Sequence, residues 1–401
     1  MRPRLRESLV RLWRDRHTLQ LGLDPARAFL ITGLDPALAR LLAYLDGTRT
    51  PAELYDLGGR LGITPARVRA LLDLLARQAV LEDADLGPPA RAPGDRLAPD
   101  RASAALLRSP PDAGAGVLAR RATAVVAVHG AGRVGSAVAN LLAAAGVGAV
   151  EVTDRRAFTL GDAGPAGDTW TGVRKHRETA VREALRRTAP EVRLTVPPGR
   201  RGPDVAVIAP EGRPEPELAA RLMARGTAHL YADVHETTGV VGPFVLPGRA
   251  ACGRCLDLHR RDRDPAWPRL LTQLAALPGP SPGRACDGVL ATAVAARVAL
   301  QVLMHLEGDT PTAADATFHI ALPDGASRRR SRRPHPECDC GAFSRRAGTT
   351  ARVAPPPGRG PSPVWQGGTS STMESVIERN ERSETTGAVR DGDTPRRRGA
   401  A

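Results

Sequence analysis

The sequence predicts an α/β protein: a Rossmann-like, mostly parallel sheet with helices on both faces, preceded by a small N-terminal winged-helix-like α+β module and followed by a disordered C-terminal tail. Three observations carry this expectation. A glycine-rich turn, Gly130-Ala131-Gly132-Arg133-Val134-Gly135, stands between a run of small and β-branched residues and a helical pattern. Beyond it, short apolar runs alternate with helical stretches, as in a sheet covered on both sides. From Ser344 onward the composition turns to Gly, Pro, Ser, Thr, Arg and Glu with almost no apolar period.

Composition bounds the partners. With 401 residues the chain can bury a large core, and its length suggests two or three domains. Aromatic residues make up only 3%, so the core must be built from Ala, Leu and Val. Of the 57 basic residues only Lys175 is a lysine, and the arginines are spread along the chain. A net charge of +14 therefore does not point to nucleic acid, which needs basic residues gathered in one patch. Arg297 interrupts the longest apolar stretch, Val289 to Leu303, short of the roughly 18 residues that span a bilayer, so no membrane partner is expected. The Arg-rich start carries Glu7 and Asp15, unlike a transit peptide, and a cytoplasmic location is expected.

Taken in order, residues 1 to about 17 read as a basic amphipathic helix or a frayed arm. Thr18 to Leu23 alternates at period two, and Ala28 to Ile31 can return as its hairpin partner. Asp35-Pro36 opens a helix with Leu38, Leu41, Leu42 and Leu45 on one face. Thr50-Pro51-Ala52-Glu53 has the form of a capping box, and Thr64-Pro65 caps a third helix. The module, residues 1–85, has several readings. It could present Arg67, Arg69 and Arg77 to DNA, offer a wing edge to an extended peptide, or only pack against the main domain. Residues 86–118, rich in Pro, Gly, Ala and Asp, read as a linker.

The main domain, residues 119–343, begins with a βαβ unit. Val125 to Val128 reads as a buried strand, Ser136 to Ala145 as a helix, and Ala149 to Thr153 as a second strand ending at Asp154. The glycines allow a tight turn and a close approach of phosphate to the helix N-terminus. Asp154 falls about 20 residues beyond Gly135, where such folds place an acid for ribose hydroxyls. A helix from Lys175 to Arg187, a strand near Val192 to Val196, a buried strand Asp204 to Ile208, a helix Pro216 to Ala224 and a strand His229 to Val234 follow.

Cys252-Gly253-Arg254-Cys255 and Cys338-Asp339-Cys340 are two close cysteine pairs. Converging, they would form a closed tetrahedral zinc site of structural type, with His259 or His335 near enough in sequence to replace one ligand. Cys286 is left over just ahead of an apolar helix. It reads as a small buried residue, or as a nucleophile whose thiol is activated by Arg284 and the helix N-terminus.

These residues together carry a resemblance. The glycine turn, Lys175 in a Gly172-to-Lys175 setting, Gly239-Val240-Val241-Gly242-Pro243 before the CxxC, and the second cysteine pair are similar to the ThiF/MoeB/HesA family, relatives of ubiquitin-activating enzymes, over about residues 121–342. The resemblance implies binding of ATP and Mg2+, adenylation of the C-terminal carboxylate of a small protein or peptide, a structural Zn2+ on four cysteines, and a homodimer. On the matching positions, Gly130, Gly132 and Gly135 would cradle phosphates, Asp154 would approach the ribose, and Lys175 would meet the phosphates. Glu211 would stand for the magnesium-binding acid, and Cys252, Cys255, Cys338 and Cys340 would hold zinc. Two features depart from the family: Asp154-Arg155-Arg156 lacks the second acid, and Asp162-Ala163-Gly164-Pro165-Ala166 lacks the arginine that clamps the triphosphate, for which Arg156 or Arg174 would have to serve.

The hairpin and helices of residues 1–85, with Leu45-Asp46-Gly47-Thr48-Arg49-Thr50, resemble PqqD-like leader-peptide-recognition modules. The combination is similar to ThiF-like partners of YcaO cyclodehydratases, which grip a precursor peptide while the other subunit uses ATP. The expected function is therefore an adenylyltransferase, with a non-catalytic peptide-presenting scaffold as the alternative and a DNA-binding regulator as a third reading.

Overall fold

The computed structural model describes residues 1–25, 27–86, 95–108, 112, 114–164, 175–209, 211, 215–276, 285–347 and 364–366. Gly172, Arg174, Arg284, residues 87–94, 109–111 and 113 of the expected linker, and nearly all of the expected tail lie outside the described residues. The chain forms two compact units, one of residues 1–8 and 79–358, the other of residues 9–78 and 359–401.

In the larger unit, β1 (Pro3–Leu5) pairs antiparallel with β5 (Leu81–Asp83), so the first residues form a strand. The helix or arm expected there does not form. Leu5 is buried and Arg6 donates to the Ala79 carbonyl, contacts that need an extended backbone rather than a helical face. The second unit contains β2 (Arg11–Asp15), β3 (Thr18–Leu21) and β4 (Phe29–Thr32) as an antiparallel sheet. Val364–Gln366, the last strand among the described residues (β13), joins that sheet as a further strand.

Its helices start where the capping residues stand. For α1 (Pro36–Ala43), Asp35 accepts from the Leu38 N–H at 2.8 Å. For α2 (Pro51–Arg60), Thr50 and Glu53 cap each other reciprocally, and α3 (Pro65–Arg77) starts from Thr64. Reciprocal capping satisfies two N–H groups that the first helical turn leaves unpaired.

The stretch expected as linker contains one helix of the larger unit, α4 (Ala98–Arg108), and the start of another, α5 (Ala115–Thr123). Their Ala and Leu content buries Ala104, Ala105 and Val117, and Pro99 falls in a first turn, where its missing N–H costs no hydrogen bond. Then come β6 (Val125–His129), α6 (Arg133–Ala144), β7 (Ala149–Thr153), a 3₁₀ turn at Leu160–Asp162, α7 (Arg177–Thr188), β8 (Val205–Ile208), α8 (Pro216–Ala224), β9 (Ala228–His235) and β10 (Thr238–Val245). The chain continues through α9 (Gly253–Arg263), α10 (Trp267–Ala276), α11 (Gly288–Leu306), β11 (Ala316–Ala321), β12 (Ala326–Ser331) and α12 (Ala342–Ala347), with β13 (Val364–Gln366) in the other unit.

The central sheet has seven strands in the order β12-β11-β10-β9-β8-β6-β7. The pairs from β7 to β9 are parallel, and those from β9 to β12 antiparallel. Chain order reverses between β6 and β8, the point at which open α/β sheets leave a crevice at their strand ends. The strand expected near Val192 to Val196 is only an isolated bridge between Arg193 and Ala149.

Helix α6 lies under this crevice and buries nine of its twelve residues. It packs against the sheet and against α11, where Leu290, Val294, Val298 and Val302 form a buried stripe at helical spacing. By length and composition alone α11 passes for a membrane span despite Arg297, which corrects the expectation that no such stretch exists. Arg297 is accommodated over the Phe318 ring, 3.8 Å from its centroid, and the helix contributes to the core of the sheet.

Candidate functional site

The glycine turn sits at the end of β6 and is built by close approach. Gly130 has φ +96°, a conformation that glycine reaches without steric strain. A Cβ on Gly135 would stand 1.9 Å from the Gly130 carbonyl oxygen, so α6 can meet the turn only without a side chain there. Gly132 caps α6 with its backbone, and a Cβ on it would meet the Glu211 carboxylate.

Glu211 therefore occupies the N-terminus of α6, where free N–H groups favour an anion. Its backbone has φ +59°, in the left-handed region that a glutamate rarely adopts. Two guanidinium groups hold its carboxylate: Arg156 at 3.0 Å and Arg177 at 2.8 Å. Arg177, 7% exposed, also donates to Asp162, at 3.0 Å through Nε. Burial opposes its charge, but Glu211 and Asp162 outweigh burial and raise the Arg177 pKa above its ordinary value.

Asp154 belongs to the same cluster. It accepts from the Ala131 N–H at 2.9 Å and from Arg156 at 2.8 and 2.7 Å. Burial raises its pKa, the bonds from Arg156 and Ala131 lower it, and the net shift is downward. Three acids and two arginines thus form one largely buried network over the glycine turn. Arg177, absent from the sequence-derived set, lies two positions beyond Lys175. A basic residue at the start of a helix facing an acidic turn was the only signal that could have marked it.

Lys175 lies outside this network. Its ammonium pairs with Glu183 at 2.5 Å, and its side chain is 38% exposed. Cys286 is half-buried against the core and accepts from Arg133 through its backbone oxygen, while Asp287 caps α11.

The two cysteine pairs converge. Cys252 Sγ lies 3.8 Å from Cys255 Sγ and 3.6 Å from Cys338 Sγ, and Cys255 lies 3.6 Å from Cys340. Four sulfurs about 2.3 Å from a tetrahedral metal would be about 3.8 Å apart, so the spacing fits an ion at the centre. The thiols cannot all ionise without one. The hydrogen bond from Cys252 pushes the Cys255 thiol down to about 4, the same bond together with burial pushes Cys252 up, and burial pushes Cys338 up to about 12. His335 and His259 do not replace a ligand. They form a separate group with Asp262, whose carboxylate lies 2.7 Å from His335 Nε2.

A cavity of about 380 Å³ opens beside the end of β8, apart from the glycine turn. Tyr231, Asp233, Asp257, Arg260 and Trp267 line it together with aliphatic side chains. Asp257 accepts from the Trp267 indole at 3.2 Å, and burial raises its pKa.

Residues 107–209 match the ThiF family. Among solved structures, E. coli MccB with ATP has a similar fold over 85% of this chain and 100% of its own, at 13% identity and a TM-score of 0.63. E. coli MccB with AMPCPP and MccA covers the same shares at 12% identity and a TM-score of 0.64. PaaA is similar over 81% of this chain and 98% of its own, at 17% identity and a TM-score of 0.61. At these identities the likeness establishes the fold. No curated protein matches the chain.

Proposed function

We propose that this chain, whose central segment matches the ThiF family, is an adenylyltransferase that activates the C-terminal carboxylate of a peptide or small protein with ATP and Mg2+. One observation carries the reading: at the N-terminus of α6, over glycines that leave no room for a side chain, two arginines already hold an anion, the Glu211 carboxylate. The N–H groups, the charge and the space suit a polyphosphate equally well. Support comes from E. coli MccB, described as a microcin C7 biosynthetic enzyme and solved with ATP, AMPCPP and MccA.

In this reading Gly130, Gly132 and Gly135 admit the phosphates and Asp154 turns toward the ribose. Glu211, parted from the arginines, would hold the magnesium ion, whose charge would offset that of the phosphates. A carboxylate oxygen of the substrate attacks the α-phosphorus, the bond from that phosphorus to the bridging oxygen breaks, and pyrophosphate leaves with its electron pair. Arg156 and Arg177, released by Glu211, face the charge that develops on the leaving group, and Lys175 adds a third cation once it parts from Glu183. The cavity beside β8 receives the last residues of the substrate. Cys252, Cys255, Cys338 and Cys340 would hold a structural zinc that ties α9 to the segment before α12 and leaves no open position for chemistry. The protein acts in the cytoplasm, where such thiols stay reduced, and as a homodimer. ATP–pyrophosphate exchange that depends on a peptide carboxylate and is lost in Lys175→Ala is the expected outcome. Absence of both exchange and calorimetric ATP binding would reject it.

A second reading is favoured by a different observation. The five charged groups at the turn satisfy one another, and the Lys175 ammonium is engaged by Glu183. A pocket whose charges are already engaged with one another suits a scaffold that binds a precursor peptide through residues 9–78 and presents it to a YcaO-type subunit that uses the ATP. That reading expects peptide binding by the full chain with no nucleotide dependence, and exchange activity in the isolated protein would remove it.

A further inference from the structure

The sheet of the second unit has two unlike edges. At one, β2 is fully exposed, carries Arg11, Arg14 and Asp15, and loses register between Trp13 and Asp15. Charge and irregularity of this kind discourage another strand from adding.

At the other edge, β4 reads Phe-Leu-Ile-Thr, with no charge and no proline, and its Phe29 and Ile31 are buried. That edge is filled. Val364–Gln366, from the far end of the chain, runs parallel to it with Val364 opposite Leu30, Trp365 opposite Ile31 and Gln366 opposite Thr32. In sequence this strand is bracketed by Pro361-Ser362-Pro363 and Gly367-Gly368, residue types with low strand propensity.

We propose that Val364–Gln366 is a tethered, self-inhibiting occupant of the outer edge of β4, which an extended peptide segment must displace before it can add to the sheet. Strand addition is held mainly by backbone hydrogen bonds, so an edge that takes one extended segment takes others of different sequence. A three-residue strand makes few such bonds and is weak as a free ligand. Its tether supplies an effective concentration in the mM range, enough to hold a weak strand in place and still yield to a longer one. The edge thus favours a peptide that offers more than three paired residues. The identity of the incoming peptide as the substrate rests on the function proposed above, but the edge and its occupant do not.

The experiment uses the full chain and a synthetic peptide of residues 360–370. In a parallel ladder alternate residues face the partner, so Val364→Pro and Trp365→Pro between them must remove a ladder N–H. At least one of these variants is expected to exchange the amide hydrogens of residues 29–32 faster than wild type. The same variant is expected to bind the added peptide about two- to tenfold more tightly, because the competitor is gone. Equal exchange at residues 29–32 and equal peptide affinity in all three proteins would overturn the proposal. A failure of adenylation would appear instead as missing pyrophosphate exchange, with this binding intact.

Discussion

The cysteine cluster and the charged cluster at the glycine turn are both largely buried and both drawn from distant segments, yet they solve opposite electrostatic problems. Four sulfurs of one kind meet with no side-chain cation bonded to them among the described residues, so their ionised form needs an ion from outside. At the turn, Asp154, Asp162 and Glu211 meet Arg156 and Arg177, and the protein supplies both signs. A site of like ligands advertises its missing component. A site of mixed charges conceals it, because one of its own side chains stands where the ligand would go.

The largest test of that difference is at the cysteines. Cys252→Ser, or stripping the metal with a chelator, is expected to lower the melting temperature by more than about 10 °C, since binding energy at structural zinc sites is folding energy. Metal analysis of the purified protein should return one zinc per chain. An unchanged melting temperature together with a metal-free protein would place the cluster in the self-sufficient class instead.

At the turn the corresponding lesion is Arg177→Ala. It leaves Asp162 and Glu211 without their shared buried partner and is expected to cost about 3–5 kcal/mol in denaturant unfolding. Asp162→Asn on top of it should recover part of the loss, because fewer buried charges are left unpaired.

Glu211→Gln sharpens the comparison further. It removes the resident anion and is expected to tighten magnesium-free ATP binding about tenfold, as one charged competitor for the arginines disappears. With magnesium present the same variant should bind more weakly than wild type. Weaker binding under both conditions would show that Glu211 does not compete for the phosphate seat.

Asp154 gives a smaller effect with a defined sign. Its pKa in the folded protein lies below the ordinary 3.8, so the stability it contributes is present above that value and is lost as pH falls through and below it. Urea midpoints should drop on acidification below about pH 4, and Asp154→Asn should flatten that part of the profile. Smallest of all is Glu183→Gln. Its pair with Lys175 is exposed on both sides, and thermal unfolding should not register its loss.

Much of the fold was legible from local pattern. The buried run Val125 to Val128, the glycines and the helix after them specify a βαβ unit because strand period, turn geometry and helix period all agree there. The capping residues Asp35, Thr50 and Thr64 marked three helix starts correctly. Residues 1–17 misled because charged residues at helical spacing are also what an exposed strand such as β2 carries, and only pairing across the sheet tells the two apart. The linker misled because its prolines and glycines outweigh the alanines and leucines that build α4 and start α5.

By itself the sequence determined the glycine turn, the acid at Asp154 and the two cysteine pairs, since each is a short-range pattern whose residue types admit few backbones or ligands. Only the tertiary structure decided which charges meet. Arg177 faces Glu211 and Asp162, Lys175 turns to Glu183, and β4 takes a strand from the other end of the chain. Those choices compare long-range partners of nearly equal chemistry, and in such a contest burial and distance decide where residue type cannot.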